Sequence, residues 1–324
     1  MMTGCKRITY IDIAKILAMF LVVYTHTAQN IVQDNYMNEI GFTSIQSLHM
    51  PLFMIMSGYF LNLDKLKKNI IADYLKKKFL HLVLPTFFWY TLLVLAFNEP
   101  HDLRTIANSY WFLKSLFISL AFIMVSVKIT NSVGGGAILA LLIVLVVPHM
   151  DMFRVNFTLP FVLIGVFFKR IESKFTLRAC IALLLLYICL LFFWKYDYTV
   201  YVTPLTRGAL SNLEQWIAFG YRILIGSIGS FLVMSIVKRI DSSLNEKVKS
   251  FLCLLGSSTL EIYLLHYIFN RIFCLLIDCD QYSQFCLSLV CLILSCLNIM
   301  GCMLIKKYIG KSSLLSKLLL GKKI

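Results

Sequence analysis

Acidic residues are scarce in this chain. In 324 residues 16 Asp and Glu stand against 31 Lys and Arg, for a formal net charge of +15. Charged residues of either sign make up only 15% of the sequence, too few to cover a water-soluble globule of this length. No CxxC pair and no Cys/His spacing suited to a metal occurs, which argues against zinc or iron–sulfur centres of the usual sequence type. No internal period of about 20 to 50 residues recurs, which excludes solenoids and propellers. The one low-complexity patch is Gly134-Gly135-Gly136, at a helix start.

Apolar residues fill the space that charge leaves. They make up 59% of the chain, and mean hydropathy is +0.80. Runs long enough to span a bilayer, at about 20 residues each, fall near 10–27, 45–62, 82–98, 109–128, 134–149, 155–169, 178–195, 217–237, 252–272 and 284–305. The expected fold is therefore all-α, a polytopic bundle of ten transmembrane helices. The first run lacks a cleavage site and carries polar residues that interrupt a signal core, so it is read as retained. The gaps at 63–81 and 196–216 are too short to fold alone, so residues 1–324 read as one membrane domain with no separate soluble domain.

The basic residues are unevenly spread. With the N-terminus inside, most of the 31 fall in the ends and loops assigned to the cytoplasm, such as Lys65, Lys67, Lys68, Lys76, Lys77 and Lys78, as the positive-inside bias requires. Both termini are expected in the cytoplasm. That distribution argues against nucleic acid as a partner and points to anionic lipid headgroups or an anionic co-substrate. The ten cysteines lie mostly within spans, as small apolar packing residues. Cys274 and Cys279 flank the last outer loop, where a disulfide is conceivable but disfavoured.

Three spans carry polar groups that lipid cannot satisfy. Residues 12–26 read DIAKILAMFLVVYTH, opening with an acid and a base and closing on a histidine. Such residues at a membrane helix centre cost about 2.5–3.5 kcal/mol each on insertion scales, less near an end. At helical pitch Asp12, Lys15, Met19, Val23 and His26 share a face, with Lys15 and His26 about 16 Å apart. Asp12 and Lys15 are spaced to pair. An interfacial ion pair plus an interfacial histidine accounts for this span as well as a functional site does. The second span, LHMPLFMIMSGYFL, places His49, Phe53, Met56 and Phe60 on one stripe, with Pro51 expected in the first turn and Ser57-Gly58 as a small pair for close helix packing. The ninth, GSSTLEIYLLHYIFN, aligns Thr259, Tyr263, His266 and Asn270, with Glu261 to one side. A helix–helix hydrogen-bond seam would explain that stripe, but a cavity explains it better, because histidine and buried glutamate are expensive seam residues.

Alternating spans bring His26, His49, Trp111, Lys114, Arg222 and His266, from five helices, to one outer depth. Trp and Lys are common at interfaces anyway, so the three histidines carry the argument. His81, His101 and His149 fall in loops or at helix ends and are read as solvated.

These residues resemble the integral-membrane acyltransferase family 3, whose members O-acylate sugars of surface polysaccharides and lipid-linked glycans. The resemblance runs nearly end to end. It rests on an acid, a base three residues later and a histidine eleven beyond that (Asp12, Lys15, His26), and on HMPLFMIMSGYF, YWFLKSLF and LGSSTLEIYLLHY. One departure is that the family often has arginine then glycine where this chain has Lys15 then Ile16, and lysine lacks the bidentate guanidinium. The resemblance implies ten helices in a cell membrane, as in the bacterial plasma membrane, and acyl-CoA, usually acetyl-CoA, as cytoplasmic donor. It also implies a sugar hydroxyl as acceptor on the far side, with Lys15 and His26 needed for activity.

The expected chemistry is acyl transfer from a thioester to a hydroxyl, with no metal and no permanently bound cofactor. A hydroxyl needs a base that titrates near neutrality, which His26 supplies. His49 or His266 would orient the acceptor or stabilise the oxyanion, Trp111 would stack on the sugar, and Lys15, held by Asp12, would grip the coenzyme. Direct transfer and an acyl-histidine intermediate remain open at this stage. Ser57, Lys114, Arg222, Glu261 and Tyr263 complete the candidate binding set. The rival reading is a glycan or anion transporter using the same cavity, although no matched pair of broken helices supports it. A scaffold without chemistry would leave the histidines and Glu261 unexplained.

Overall fold

A computed structural model describes residues 8–31, 40–97, 102–146, 154–172, 175–200, 212–276 and 284–322. Among these there is no strand, and helices follow each of the ten apolar runs. They are α1 (Thr9–Ile31), α2 (Ile40–Tyr59), α3 (Leu63–Lys68), α4 (Ile71–Lys78), a π-helical turn (Phe79–Val83) leading into α5 (Leu84–Phe97), α6 (Leu103–Asn108), α7 (Trp111–Thr130), α8 (Val133–Val146), α9 (Val155–Ile171), α10 (Leu177–Phe193), α11 (Leu213–Asp241), α12 (Glu246–Gly256), α13 (Thr259–Leu276), α14 (Gln284–Ile309) and α15 (Ser313–Leu320). Among the described residues, six helical segments are long and apolar enough to cross a membrane: α1, the continuous Ile71–Phe97 segment, α7, α11, α13 and most of α14. The ones that fall short include α8, α9 and α10, with 14, 17 and 17 residues.

The bundle is apolar outside and polar within. Phe192, Leu95, Leu275 and Phe87 are exposed, while Thr27, Ser115, Thr158, His266 and Asn298 are fully buried. In water that arrangement would be unstable; in lipid it is the only way polar groups find partners. α1 is the hub. It has no Pro or Gly to interrupt its helix, and it packs against α2, α11, α12, α13 and α14.

Close packing is bought with glycine at two crossings. A Cβ on Gly58 would sit 1.8 Å from the Val162 carbonyl oxygen, and one on Gly165 would sit 2.0 Å from that of Ile55, so α2 and α9 touch backbone to backbone. Ser57-Gly58 thus packs as its size suggests. Likewise, a Cβ on Gly256 would lie 2.0 Å from the Asp12 oxygen, which lets the end of α12 press on the foot of α1.

The gap at 63–81 is mostly helical: the Asn62 side chain accepts from Lys65 N–H to start α3, and lysines crowd the last turns of α3 and α4, where they favour the helix dipole. Two local expectations are corrected. The run 252–272 is not one helix. It breaks at Ser257–Ser258, where the Ser258 hydroxyl donates to the Leu254 oxygen and receives the Lys306 ammonium, so α12 and α13 are separate. Pro51 lies inside α2 rather than in its first turn, because the helix begins at Ile40; its ring packs against Gly226 of α11.

Candidate active site

His26 sits near the end of α1, and its two ring nitrogens face different partners. Nδ1 lies 3.0 Å from Gln29 Oε1 and Nε2 lies 3.3 Å from the Tyr267 hydroxyl. An amide oxygen only accepts, so this arrangement puts the proton on Nδ1 and leaves the Nε2 lone pair to accept from Tyr267. The His26 ring is 5.3 Å from that of His266 and 5.0 Å from that of Tyr267, and His49 stands within electrostatic range. The three histidines that spacing placed at one depth do converge.

His49 and His266 share a second feature. Nδ1 of His49 is 2.7 Å from the Ile45 oxygen, and Nδ1 of His266 is 2.8 Å from the Tyr263 oxygen. Backbone carbonyls hold both protons on Nδ1, so each neutral ring presents Nε2 as an acceptor. Nε2 of His266 is buried and has no protein partner. Such rings suit an incoming hydroxyl donor better than an oxyanion.

Beneath the histidines runs a narrow, mostly apolar cavity of about 140 Å³ between α1, α2, α7 and α13. Lys15, Ser57 and His81 line one part of it; Val22, Met50 and Tyr263 line another, close to the histidines in sequence and space. Lys15 to Val22 spans about 10 Å of helix rise, and His26 follows one turn later. Phe53 and Phe112, rings 5.9 Å apart, narrow the middle. Lys15 Nζ stands 3.4 Å from Asp12 Oδ1 and 4.7 Å from the Phe60 ring centroid, so the spacing-predicted pair is present and its cation also meets an aromatic face.

The remaining candidates fall elsewhere. Trp111 stacks under the Arg154 guanidinium at 4.8 Å and meets Phe157, whose ring also faces Arg222 at 5.8 Å. Arg222 Nε donates to the Tyr198 oxygen at 2.8 Å. Lys114 donates to the carbonyls of Ile106 and Ser109, which staples α6 onto α7. Ser57 donates to the Phe53 oxygen but keeps a place on the cavity wall. Glu261 lies in the first turn of α13, ahead of His266, and pairs with Lys306 at 3.3 Å and Lys322 at 3.7 Å. The α13 stripe divides: Thr259 and Tyr263 line the cavity, whereas Asn270 joins a seam, accepting from Thr27 at 3.0 Å and from Asn298 at 2.9 Å.

Several side chains were missed. Tyr267 and Gln29 escaped because tyrosine and glutamine near a helix end look interfacial. Tyr110 is buried at φ 49°, a left-handed conformation that costs about 1–3 kcal/mol for such a residue. Its hydroxyl donates to the Leu264 oxygen, and its ring meets Tyr263 and Tyr267 edge-on. His81 was read as merely solvated. It is exposed, but it lies within the π-helical turn, lines the cavity and has Nδ1 2.7 Å from the Gly321 oxygen. His101, His149 and Cys279 lie outside the described residues.

The bundle has membrane character, with His26 one helical turn beyond a cavity that carries Lys15 in its wall. Residues 8–307 match the family described as "Acyltransferase domain", and the chain belongs to that acyltransferase family. A 129-residue stretch is 32% identical to Nodulation protein NolL of Mesorhizobium japonicum, over 35% of this chain and 34% of that protein. The chain thus aligns with about a third of that relative's length. No solved structure matches.

Proposed function

We propose that this protein is a ten-span membrane O-acyltransferase that carries an acyl group, acetyl in the simplest case, from acyl-CoA on the cytoplasmic side to a sugar hydroxyl. The observation that carries the reading is an apolar cavity with Lys15 in its wall that extends to Val22 and Tyr263, one helical turn short of His26 and beside His266. Lys15 has a carboxylate partner and an open cavity wall, so it suits an anionic or polar part of the coenzyme, with the thioester arm directed up the cavity. His26, its lone pair on Nε2, takes the acceptor's proton while the acceptor oxygen attacks the thioester carbonyl. The C–S bond then breaks and the thiolate leaves with a proton returned from His26. Neutral His49 and His266 accept from the sugar hydroxyls and orient them. Direct transfer suits this arrangement, because Tyr267 and Gln29 occupy both nitrogens of His26 with hydrogen bonds that position a base.

The deciding measurement is CoA release from acetyl-CoA by the protein in lipid nanodiscs, with cell-envelope glycans as acceptors. Acceptor-dependent release that disappears in His26→Ala supports the reading. Acceptor accumulation in sealed vesicles without any acylated product would replace it with transport.

A further inference from the structure

We propose that the second cavity of the bundle is the acceptor subsite, and that Arg271 makes it selective for glycans with an anionic group beside the reacting hydroxyl; this rests on the acyl-transfer reading above. The cavity, about 280 Å³, lies between α5, α6 and α13, and its wall carries Tyr90, Asn108, Ser109, Tyr110, Tyr267 and Arg271. That volume is near the lower end for small-ligand sites, about 300–1,000 Å³. Its chemistry differs from that of the Lys15 cavity. Three tyrosines line it with flat aromatic rings, which suits the apolar face of a sugar ring.

Two observations tie this space to a ligand. Asn108 Oδ1 is buried without a partner among the described residues, and a buried acceptor is costly until a donor reaches it; a sugar hydroxyl is such a donor. The second is Tyr267, which lines this cavity while its hydroxyl stands 3.3 Å from His26 Nε2. One side chain therefore joins the space to the base. An acceptor hydroxyl that takes the place of the Tyr267 hydroxyl at His26 Nε2 gives its proton to that nitrogen. The acceptor oxygen bonds to the thioester carbonyl carbon, the C–S bond breaks, and His26 returns the proton to the thiolate.

Arg271 follows Tyr267 by four residues on the same face of α13, which sets the two positions about 5–6 Å apart. A sugar whose hydroxyl reaches Tyr267 thus brings a neighbouring substituent beside a guanidinium. Carboxylate and phosphate are the groups a guanidinium binds in planar, paired geometry. Lys114 is a positioning residue here: it fixes Ile106 and Ser109, and with them the α6 part of the wall.

The test uses the full chain in nanodiscs with acetyl-CoA and three acceptors: a disaccharide ending in glucuronic acid, a glucose disaccharide with a 6-phosphate, and the neutral glucose disaccharide. CoA release and equilibrium binding are both measured. The expected result is a KM for at least one anionic acceptor about tenfold below that of the neutral one, with the preferred acceptor identifying carboxylate or phosphate as the source. Arg271→Gln should raise that KM to the neutral value at unchanged kcat. Asn108→Asp, a second variant that adds negative charge to the same wall, should weaken anionic acceptors more than the neutral one. Equal KM for all three acceptors in the wild type, or equal losses on all three in both variants, overturns the selectivity and leaves acyl transfer standing. Binding that favours the anion and depends on Arg271, without CoA release, keeps the subsite and overturns the chemistry. Neither binding nor release overturns both.

Discussion

At the Lys15 end of the main cavity charge is answered close by, for Asp12 meets Lys15, and outside the cavity wall Glu261 meets Lys306 and Lys322. Eleven residues further along α1, the groups that His26 meets are uncharged ones. There the partners are an amide, tyrosine rings and two other imidazoles, with His266 fully buried. The difference reflects where charge is tolerable. A permanent ion deep in an apolar bundle costs several kcal/mol even when paired, at about the scale of a whole binding site, whereas a neutral imidazole acquires charge only while it holds a proton in transit. One end is thus suited to hold an anionic substrate, and the other to move a proton.

The sharpest way to break that comparison is at the histidine end. His26→Ala should lower acceptor-dependent CoA release about 100- to 10,000-fold, the usual range for a lost general base. Among the described residues its ring nitrogens meet only Gln29 and Tyr267, so the protein should still insert and keep its midpoint of thermal unfolding within a few degrees. A loss below tenfold in an inserted protein would move the base to another residue.

Lys15→Ala tests the opposite end with a smaller and different effect. A charge-assisted contact is worth about 1.5–3 kcal/mol, so the KM for acyl-CoA should rise about 10- to 100-fold with kcat changed much less. Lys15→Arg should restore most of it, since both cations reach a carboxylate or phosphate. If the alanine variant depresses kcat and leaves donor KM unchanged, the two ends do not divide labour as described.

Between the ends, Tyr267→Phe removes one hydroxyl and keeps the ring contacts with His26 and His266. A single hydrogen bond of about 0.5–1.5 kcal/mol corresponds to a fall in kcat of about two- to tenfold. A fall equal to that of His26→Ala would make Tyr267 itself indispensable to proton transfer.

Sequence reasoning reached the histidines because depth follows from helix direction and alternation: His26, His49 and His266 needed only rise and topology to be set level. It also found the Asp12–Lys15 pair, which is local. It failed where the partner is distant. Nothing in the sequence ties Tyr267 to Gln29, or reveals that the backbone of His81 and Gly321 meet, since those contacts depend on helix rotation and on how α15 folds back against α5. The break at Ser257–Ser258 was hidden for another reason: serine is compatible with an apolar helix until a lysine from α14 claims its hydroxyl. Trp111, Lys114 and Arg222 were expected at the same depth but meet other partners, so an expected depth names a layer and not a site.

The polar stripe of α13 contains the same contrast on a single helix, and Asn270→Leu resolves it. Tyr263 lines the cavity and touches His266, whereas Asn270 accepts from Thr27 and Asn298 in a buried seam joining α1, α13 and α14. Losing both bonds strands the Thr27 hydroxyl, but the Asn298 amide still donates to the His266 oxygen at 3.0 Å. Interhelical hydrogen bonds in membranes average about 0.6 kcal/mol and reach about 1.7, so the variant should lose about 1–2 kcal/mol of stability in the bilayer while kcat and both KM values of the folded protein stay within about twofold. An unfolding assay in mixed micelles, run beside CoA release, separates the two readouts. If kcat falls as far as in Tyr267→Phe while stability is unchanged, the seam belongs to the catalytic half of the stripe, and the boundary between packing and chemistry lies further along α13 than Tyr267.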